Sequence, residues 1–391
     1  MKRILSFLLR VVFIVIVCLA VNNFSGIIDS FKWKNLIKED KPSQVQIENF
    51  EAKTKEKCFY YYDNLPDSDK DDYVSLYYGF MDYDDSIYIG KTESDIENLM
   101  VAVLYDNPDI FWVDYNYEFT SNETATMIAP EYRFTAEESQ QMQSEIDEII
   151  GDVISKVNKY KSDYEKELYI HDYVIDKTEY DISTLGDMGN TVYNTLIVGK
   201  AICEGYAKTM QILLDEAGID NYLVTGEAEN DKGELEQHMW NIVTIDGENY
   251  HLDATWDDLN DVMEIGYFYF NVTDEYISRD HKNLSPSNNN CVSKNANYFV
   301  KNNFVVSDYN GFSSHINRSV KALSNGSNEV VFYFTDHNDY EKALKDLEND
   351  NGFFKYVFSV VDKSKKIYRK DNVDYVTIDT HNYLSIVFKE G

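Results

Sequence analysis

The sequence predicts an α+β fold. Three observations carry that expectation: two amphipathic helices in succession, a further helix that opens on a cysteine, and a β-hairpin closed by Asp246-Gly247. At 391 residues the chain suits two or three domains rather than one. Its 43% hydrophobic and 15% aromatic residues are enough to fill sizeable cores, which argues against wholesale disorder.

The chain begins with a targeting pattern. Lys2 and Arg3 form a basic start, and an apolar run from Val11 to Val21 follows Arg10. That run alone is shorter than the roughly 20 residues a membrane span needs; counted from Ile4, with Arg10 snorkelling, a span is feasible. No small-x-small cleavage site precedes Asn22, so an uncleaved anchor over residues 1–28 is favoured over a signal peptide. Both readings export the body, held on the cell membrane in the first and secreted in the second. Residues 29–50 are polar and read as a stalk.

Residues 51–134 are dense in Tyr and Asp and read as an N-terminal accessory region. Helices are expected over 69–81 and 93–104, a short strand over 86–89 and a strand-like alternation over 109–119. The run Asp67-Ser-Asp-Lys-Asp71 looks like the start of a calcium loop. It has Asp72 where such a loop needs Gly and Tyr78 where it needs Glu, so a helix is the better reading.

A larger domain is expected over 135–285. Thr135 with Glu138 makes a capping pattern, and Met142, Ile146, Ile149, Val153 and Val157 then recur at helical spacing. Ser162 with Glu165 repeats the signature before a second helix, on which His171 reads as a packed, structural residue. Next comes Gly199-Lys-Ala-Ile-Cys203-Glu-Gly-Tyr-Ala207. Cys203, Ala207, Met210, Leu214 and Ala217 share one helical face, and Gly218 suits the position just past the end. Cys203 therefore lies at a helix start, where backbone N–H groups and the helix dipole favour a thiolate and can hold an oxyanion.

The hairpin supplies partners. A two-residue turn at Asp246-Gly247 pairs Ile245 with Glu248, so opposed residue numbers sum to 493. If the second strand continues to Trp256, His238 and Asp253 become diagonal neighbours on one face, within reach of a side-chain hydrogen bond. Cys203, His238 and Asp253 are then the parts of a thiol triad: nucleophile, base and orienting carboxylate. His251 shares that face and is the rival base. Close ligand spacings for zinc are missing.

Downstream, the run Tyr267-Phe-Tyr-Phe270 reads as a buried strand, and a polar linker is expected over 286–295. A C-terminal α+β accessory domain over 296–391 follows, with strands at 329–335, 354–361 and 375–380 and a helix at 340–348. Cys58, Cys203 and Cys291 make an odd set with no paired spacing, so neither a disulfide framework nor a zinc ribbon is indicated. The net charge of −33 excludes nucleic acid as a partner, because phosphates would be repelled.

Ala201-Ile-Cys-Glu-Gly-Tyr-Ala207, Gly218-Ile219, Gly226, His238-Met-Trp-Asn241 and Tyr250-His-Leu-Asp-Ala-Thr-Trp256 together resemble the transglutaminase-like superfamily, particularly its exported bacterial members and the cytokinesis-type domains. Ile170-His-Asp-Tyr173, Tyr180-Asp181 and Tyr267-Phe-Tyr-Phe-Asn-Val-Thr-Asp274 extend the resemblance over about residues 160–285. It implies a papain-like core in which the cysteine helix packs on an antiparallel sheet, with smaller flanking domains. It carries nucleophile, base and acid over to Cys203, His238 and Asp253. The implied chemistry is acyl transfer through a thioester, as cross-linking, deamidation or peptide hydrolysis, on a protein or cell-wall peptide outside the cell. A non-catalytic surface-binding protein on the same core is the alternative. Animal-type calcium sites are not recognisable, so no metal or cofactor is expected. Tyr193 and Asn194 are the candidates for an oxyanion-hole side chain.

Overall fold

The computed structural model describes residues 41–90, 96–184, 188–229, 233–259, 265–287, 289–311, 329–348 and 368–390. The expected anchor and most of the stalk lie outside these residues, as does the strand expected at 354–361. Among the described residues no helix is long and apolar enough to cross a membrane. The chain divides into two compact units, Met1–Asp147 and Glu148–Gly391.

In the first unit, helices α1 (Gln44–Lys53), α2 (Asp67–Asp82) and α3 (Ile96–Asp106) accompany a sheet of β1 (Ile87–Ile89), β3 (Thr126–Tyr132) and β2 (Val113–Ser121), in that order. The Asp-rich run forms the first turn of α2, where carboxylates favour the positive end of the helix dipole. Phe50 packs against Phe59, Tyr62, Tyr73 and Tyr77 with ring centroids 5.0–5.4 Å apart. Asp106 closes this cluster by accepting from the Tyr61 and Tyr62 backbone N–H groups and the Tyr73 hydroxyl. Burial pushes its carboxyl up to about 7, although those donors work in the opposite direction.

Both expected capping patterns form. Thr135 and Glu138 exchange hydrogen bonds before α4 (Ala136–Val157), and Ser162 and Glu165 do so before α5 (Asp163–Lys177). A two-residue parallel pair, β4 (Glu179–Tyr180) with β5 (Lys200–Ala201), leads into α6 (Cys203–Glu216). The central sheet of the second unit runs β8 (Glu248–Leu252), β7 (Leu235–Ile245), β6 (Asn221–Glu229) and β9 (His281–Ser285), and is antiparallel throughout. Asp246 and Gly247 have φ of 53° and 80°, as a type I′ turn requires, and each pair from Ile245–Glu248 to Asn241–Leu252 obeys the expected register.

The apolar face of α6 lies against this sheet. Met210, Leu213 and Leu214 are buried with Val243, Ile245, Tyr250 and Leu252, and with Val153, Ile170 and Val174 of the preceding helices. Each such side chain contributes about 1.5–3 kcal/mol by leaving water.

One expected strand is shorter than read, and another does not form. β8 ends at Leu252, and residues Ala254–Asp257 form a short helix, α7, capped by Asp253. The segment 267–270 is buried but irregular; it joins the fold through a bridge between Val272 and His251. Its run of large aromatics reflects the burial of Phe268, Tyr269 and Phe270 and not strand pairing. Beyond it, β10 (Val305–Val306), β11 (Glu329–Phe334), β13 (Tyr383–Glu390) and β12 (Tyr368–Ile378) form a second sheet in that order, beside α8 (His337–Glu348). Phe268 stacks on His381 of this region at 4.5 Å, and Phe299 stacks on Tyr333 at 4.3 Å.

Glu167 on α5 is fully buried; Asn271 donates to its Oε2, and Oε1 has no partner. Burial pushes its carboxyl up to about 8, against Asn271 and the His171 charge, which lower it. The folded pKa lies above the unfolded value, so this group's stabilisation is complete below the unfolded pKa and is lost as pH rises through about 8. The neutral isostere Glu167→Gln removes that loss. Urea melts should give similar stabilities near pH 4, and at pH 9 the variant should exceed wild type by at least ~1 kcal/mol.

Candidate active site

Cys203 is the first residue of α6 and is half-buried. Ile202 before it is extended and offers no capping side chain, so the first N–H groups of the helix have no side chain competing for them. The close packing behind Cys203 depends on Gly205. A Cβ there would meet the Gly189 carbonyl oxygen at 2.6 Å and the Ala201 Cβ and Thr195 Oγ1 at 2.8 Å. On the next turn, the Ala207 carbonyl accepts from Asn241 Nδ2 of β7 at 2.9 Å, which ties the cysteine helix to the sheet.

His238 stands on β7, opposite Gly226 of β6. Its Nε2 is 2.7 Å from Asp253 Oδ2. The expected partnership therefore forms, but by a different route from two flat strands. Asp253 leaves the strand with φ −121° and ψ 90°, and its Oδ1 accepts from the Thr255 and Trp256 N–H groups at 3.0 and 3.2 Å. Capping α7 turns the carboxylate, and Oδ2 then faces the imidazole. With Nε2 committed to Asp253, Nδ1 is the ring nitrogen left to face Cys203, which lies close enough to help raise the ring.

The electrostatics follow from burial and pairing. Burial opposes a charge on His238, but the Asp253 carboxylate and Cys203 outweigh it and push the ring up to about 10. Burial alone would raise Asp253; His238 and His281 instead hold it well below the usual carboxylate range. Trp240 stacks on His238 at 5.8 Å and 22°, and Trp256 covers it at 5.9 Å. These indoles keep water from the His238–Asp253 pair, which strengthens it.

His251, the rival base, is excluded. Its Nδ1 accepts from Trp240 Nε1 at 2.9 Å, and its Nε2 meets Asp274 Oδ1 at 2.8 Å. Asn194 is buried and donates one Nδ2 hydrogen to the Lys200 carbonyl at 3.0 Å. His171, read as structural, is buried between Asp257 Oδ2 and Asp172 Oδ1, each at 3.2 Å. Burial opposes its charge, but the two carboxylates push it up to about 9. Since Asp257 ends α7, this pair anchors the turn that carries Asp253.

Two groups were not foreseen. His281 of β9 places Nε2 3.2 Å from Asp253 Oδ2. It comes from a strand 28 residues away in sequence, and no local spacing signals it. Tyr180 of β4 pairs with Ala201, two residues before Cys203, and remains 45% exposed. Partial burial, then the charges of Cys203, Glu236 and Asp253, push its phenol up to about 12, so it lies within electrostatic reach of the site.

Among the described residues two groups bring three potential metal ligands together: His238, Asp253 and His281, and His251, Asp274 and Cys291. The first is closed by contacts of 2.7 and 3.2 Å onto one carboxylate oxygen. Those are hydrogen-bond separations, and they leave no space for an ion at the roughly 2.0–2.1 Å of a zinc–nitrogen bond. In the second, Trp240 can only donate, so His251 Nδ1 accepts and its proton is on Nε2, which then has no lone pair for a metal. Neither group fits a metal as arranged. Cys58, Cys203 and Cys291 are not in disulfides.

Residues 152–254 match the family model of the transglutaminase-like superfamily, a stretch that holds α5, α6 and strands β6 to β8. Similar solved structures include one described as a TGase, 16% identical over 44% of this chain and 50% of that one, with a TM-score of 0.25. A candidate cysteine protease from Cytophaga hutchinsonii is 14% identical over 36% of this chain and 61% of that one, with a TM-score of 0.25. A candidate protease from Parabacteroides distasonis is 12% identical over 37% and 36%, with a TM-score of 0.22. The chain thus spans half of the first and less than two thirds of the others. Among curated proteins no similar sequence was found.

Gly205→Ala should push α6 away from Ala201 and the Gly189 carbonyl. Urea unfolding is expected to show a loss of about 1–3 kcal/mol, the usual cost of overpacking.

Proposed function

We propose that this transglutaminase-like core is a cysteine acyl-transferase, with Cys203 as nucleophile, His238 as general base and acid, and Asp253 as its orienting carboxylate. The observation that carries this reading is the His238 ring, held by Asp253 Oδ2 at 2.7 Å and within electrostatic reach of Cys203 at the start of α6. A structural cysteine has no need of a buried, charge-paired imidazole against its sulfur.

The reaction follows from the positions. With its proton already on His238 Nδ1, Cys203 attacks the carbon of a carboxamide or peptide carbonyl as the thiolate. The carbonyl oxygen takes the electron pair and lies against the N–H groups at the start of α6. As the C–N bond breaks, His238 returns its proton to the departing ammonia or amine, leaving a thioester on Cys203. An incoming amine or water then attacks the thioester. His238 takes its proton, and the thiolate leaves. Asp253 stays ionised throughout and holds the imidazole in the tautomer that presents Nδ1 to sulfur.

The N-terminal pattern of Lys2, Arg3 and the apolar run to Val21 supports export with membrane attachment. A protein or cell-wall peptide outside the cell is then the substrate class, with deamidation, cross-linking and hydrolysis as forms of one thioester chemistry.

The test is the pH dependence of Cys203 alkylation. Wild type should label rapidly well below the ordinary thiol pKa of about 8.5. His238→Ala should slow labelling at neutral pH roughly a hundredfold. Because His238 is pushed up to about 10, its proton is retained below that pH and lost above it, so the alkaline limb of acyl transfer should fall near pH 10. Cys203→Ala should abolish both amine incorporation and ammonia release on glutamine-peptide panels. Slow labelling indifferent to His238 would replace this reading with a binding protein on the same core.

A further inference from the structure

We infer that His281 is a positioning residue of this site: it donates to the same Asp253 oxygen as His238 and so divides that oxygen's charge between two imidazoles. The inference rests on His238 being the base, and deepens that reading.

Asp253 Oδ2 lies 2.7 Å from His238 Nε2 and 3.2 Å from His281 Nε2, while Oδ1 is filled by two backbone N–H groups. Asp253 is an ionised carboxylate that only accepts, so both ring nitrogens are donors to it. The other nitrogen of His281, Nδ1, lies 2.6 Å from Asp280 Oδ1, and the Tyr269 hydroxyl donates to Asp280 Oδ2 at 2.6 Å. His281 is 1% exposed, and its ring is gripped by Trp240 at 4.9 Å and Trp256 at 4.6 Å, the same indoles that cover His238. The two imidazoles are 5.4 Å apart, edge to face. A histidine needed only for packing would not require a carboxylate at each nitrogen.

Asp257 at the end of α7, Tyr180 of β4 and Tyr269 also lie within electrostatic reach of Asp253. Cys203 of α6 faces His238, and His251 of β8 feels His281 through space but keeps its own partners, Trp240 and Asp274. His381 and Arg279 lie within electrostatic reach of Asp280, or of each other, on the far side. None of them comes between Asp253 and either imidazole.

The consequence is chemical. If Asp253 held His238 alone, the imidazolium would be a tighter pair and a poorer acid toward the leaving amine. A second donor on Oδ2 weakens that hold. Removing His281 therefore raises the His238 midpoint and slows acyl transfer, although no atom of His281 touches substrate.

The experiment is a titration of His238 by nitrogen NMR on histidine-labelled full-length protein. A Cys203→Ala background stops the thiol from titrating with the ring. His281→Phe should raise the His238 midpoint by roughly half to one pH unit. His281→Gln, which keeps a side-chain N–H donor, should return it toward the parent value. With Cys203 restored, His281→Phe should lower kcat more than it changes KM. A His238 midpoint that does not move, or that falls, in His281→Phe overturns the inference, as does a Gln variant indistinguishable from Phe. Because the ring titration requires no catalysis, the inference can fail while low-pH labelling of wild-type Cys203 still supports the acyl-transfer reading, and the reverse also holds.

Discussion

The second unit is organised around one buried carboxylate. Asp253 is 1% exposed, and an ionised group at that depth is tolerated only when every lone pair is engaged. Its four contacts come from three places: two N–H groups of the turn it caps, His238 of β7 and His281 of β9. Meeting that requirement ends β8 at Leu252, starts α7 and holds together the two outer neighbours of β6. The indoles of Trp240 and Trp256 complete the enclosure and keep the effective dielectric low.

The surrounding structure serves to bring a thiol to this carboxylate's imidazole. α6 starts at Cys203 because the chain before it is held extended by pairing with β4. Gly205 and the Asn241–Ala207 hydrogen bond fix how closely the helix approaches its neighbours. The buried pair of His171 with Asp257 pins the far end of the turn that Asp253 begins. A displacement in any of these elements reaches the Cys203–His238 contact through rigid, packed parts.

A second Cys–His–Asp grouping in the same unit shows why composition alone does not make a site. His251, Asp274 and Cys291 bring their ligand atoms within 4.8 Å of one another. Yet Trp240 fixes the His251 tautomer so that its proton points at Asp274, and burial, with Asp274 beside it, pushes the Cys291 thiol far up. Burial also lowers His251, against the pull of Asp274. Neutral imidazole and inert thiol make this a structural clasp between β8 and the segment after β9.

What the sequence determined by itself was local. The capping boxes at Thr135 and Ser162, the Asp246-Gly247 turn with its register, and the helix opened by Cys203 each depend on residues a few positions apart, and each formed as read. From these the pairing of His238 with Asp253 was legible, though its route was not. Strand alternation continued through Asp253 to Trp256, and nothing local says that a buried carboxylate would cap a turn instead of extending a strand. The tertiary structure decided what depends on distant partners. It turned the aromatic run at 267–270 into an irregular buried segment, gave His251 to Trp240 and Asp274, and brought His281 onto Asp253 across the sheet. Periodicity reports which face a residue presents. Which charge meets it there is set by the order of strands in the sheet, and no short window of sequence contains that order.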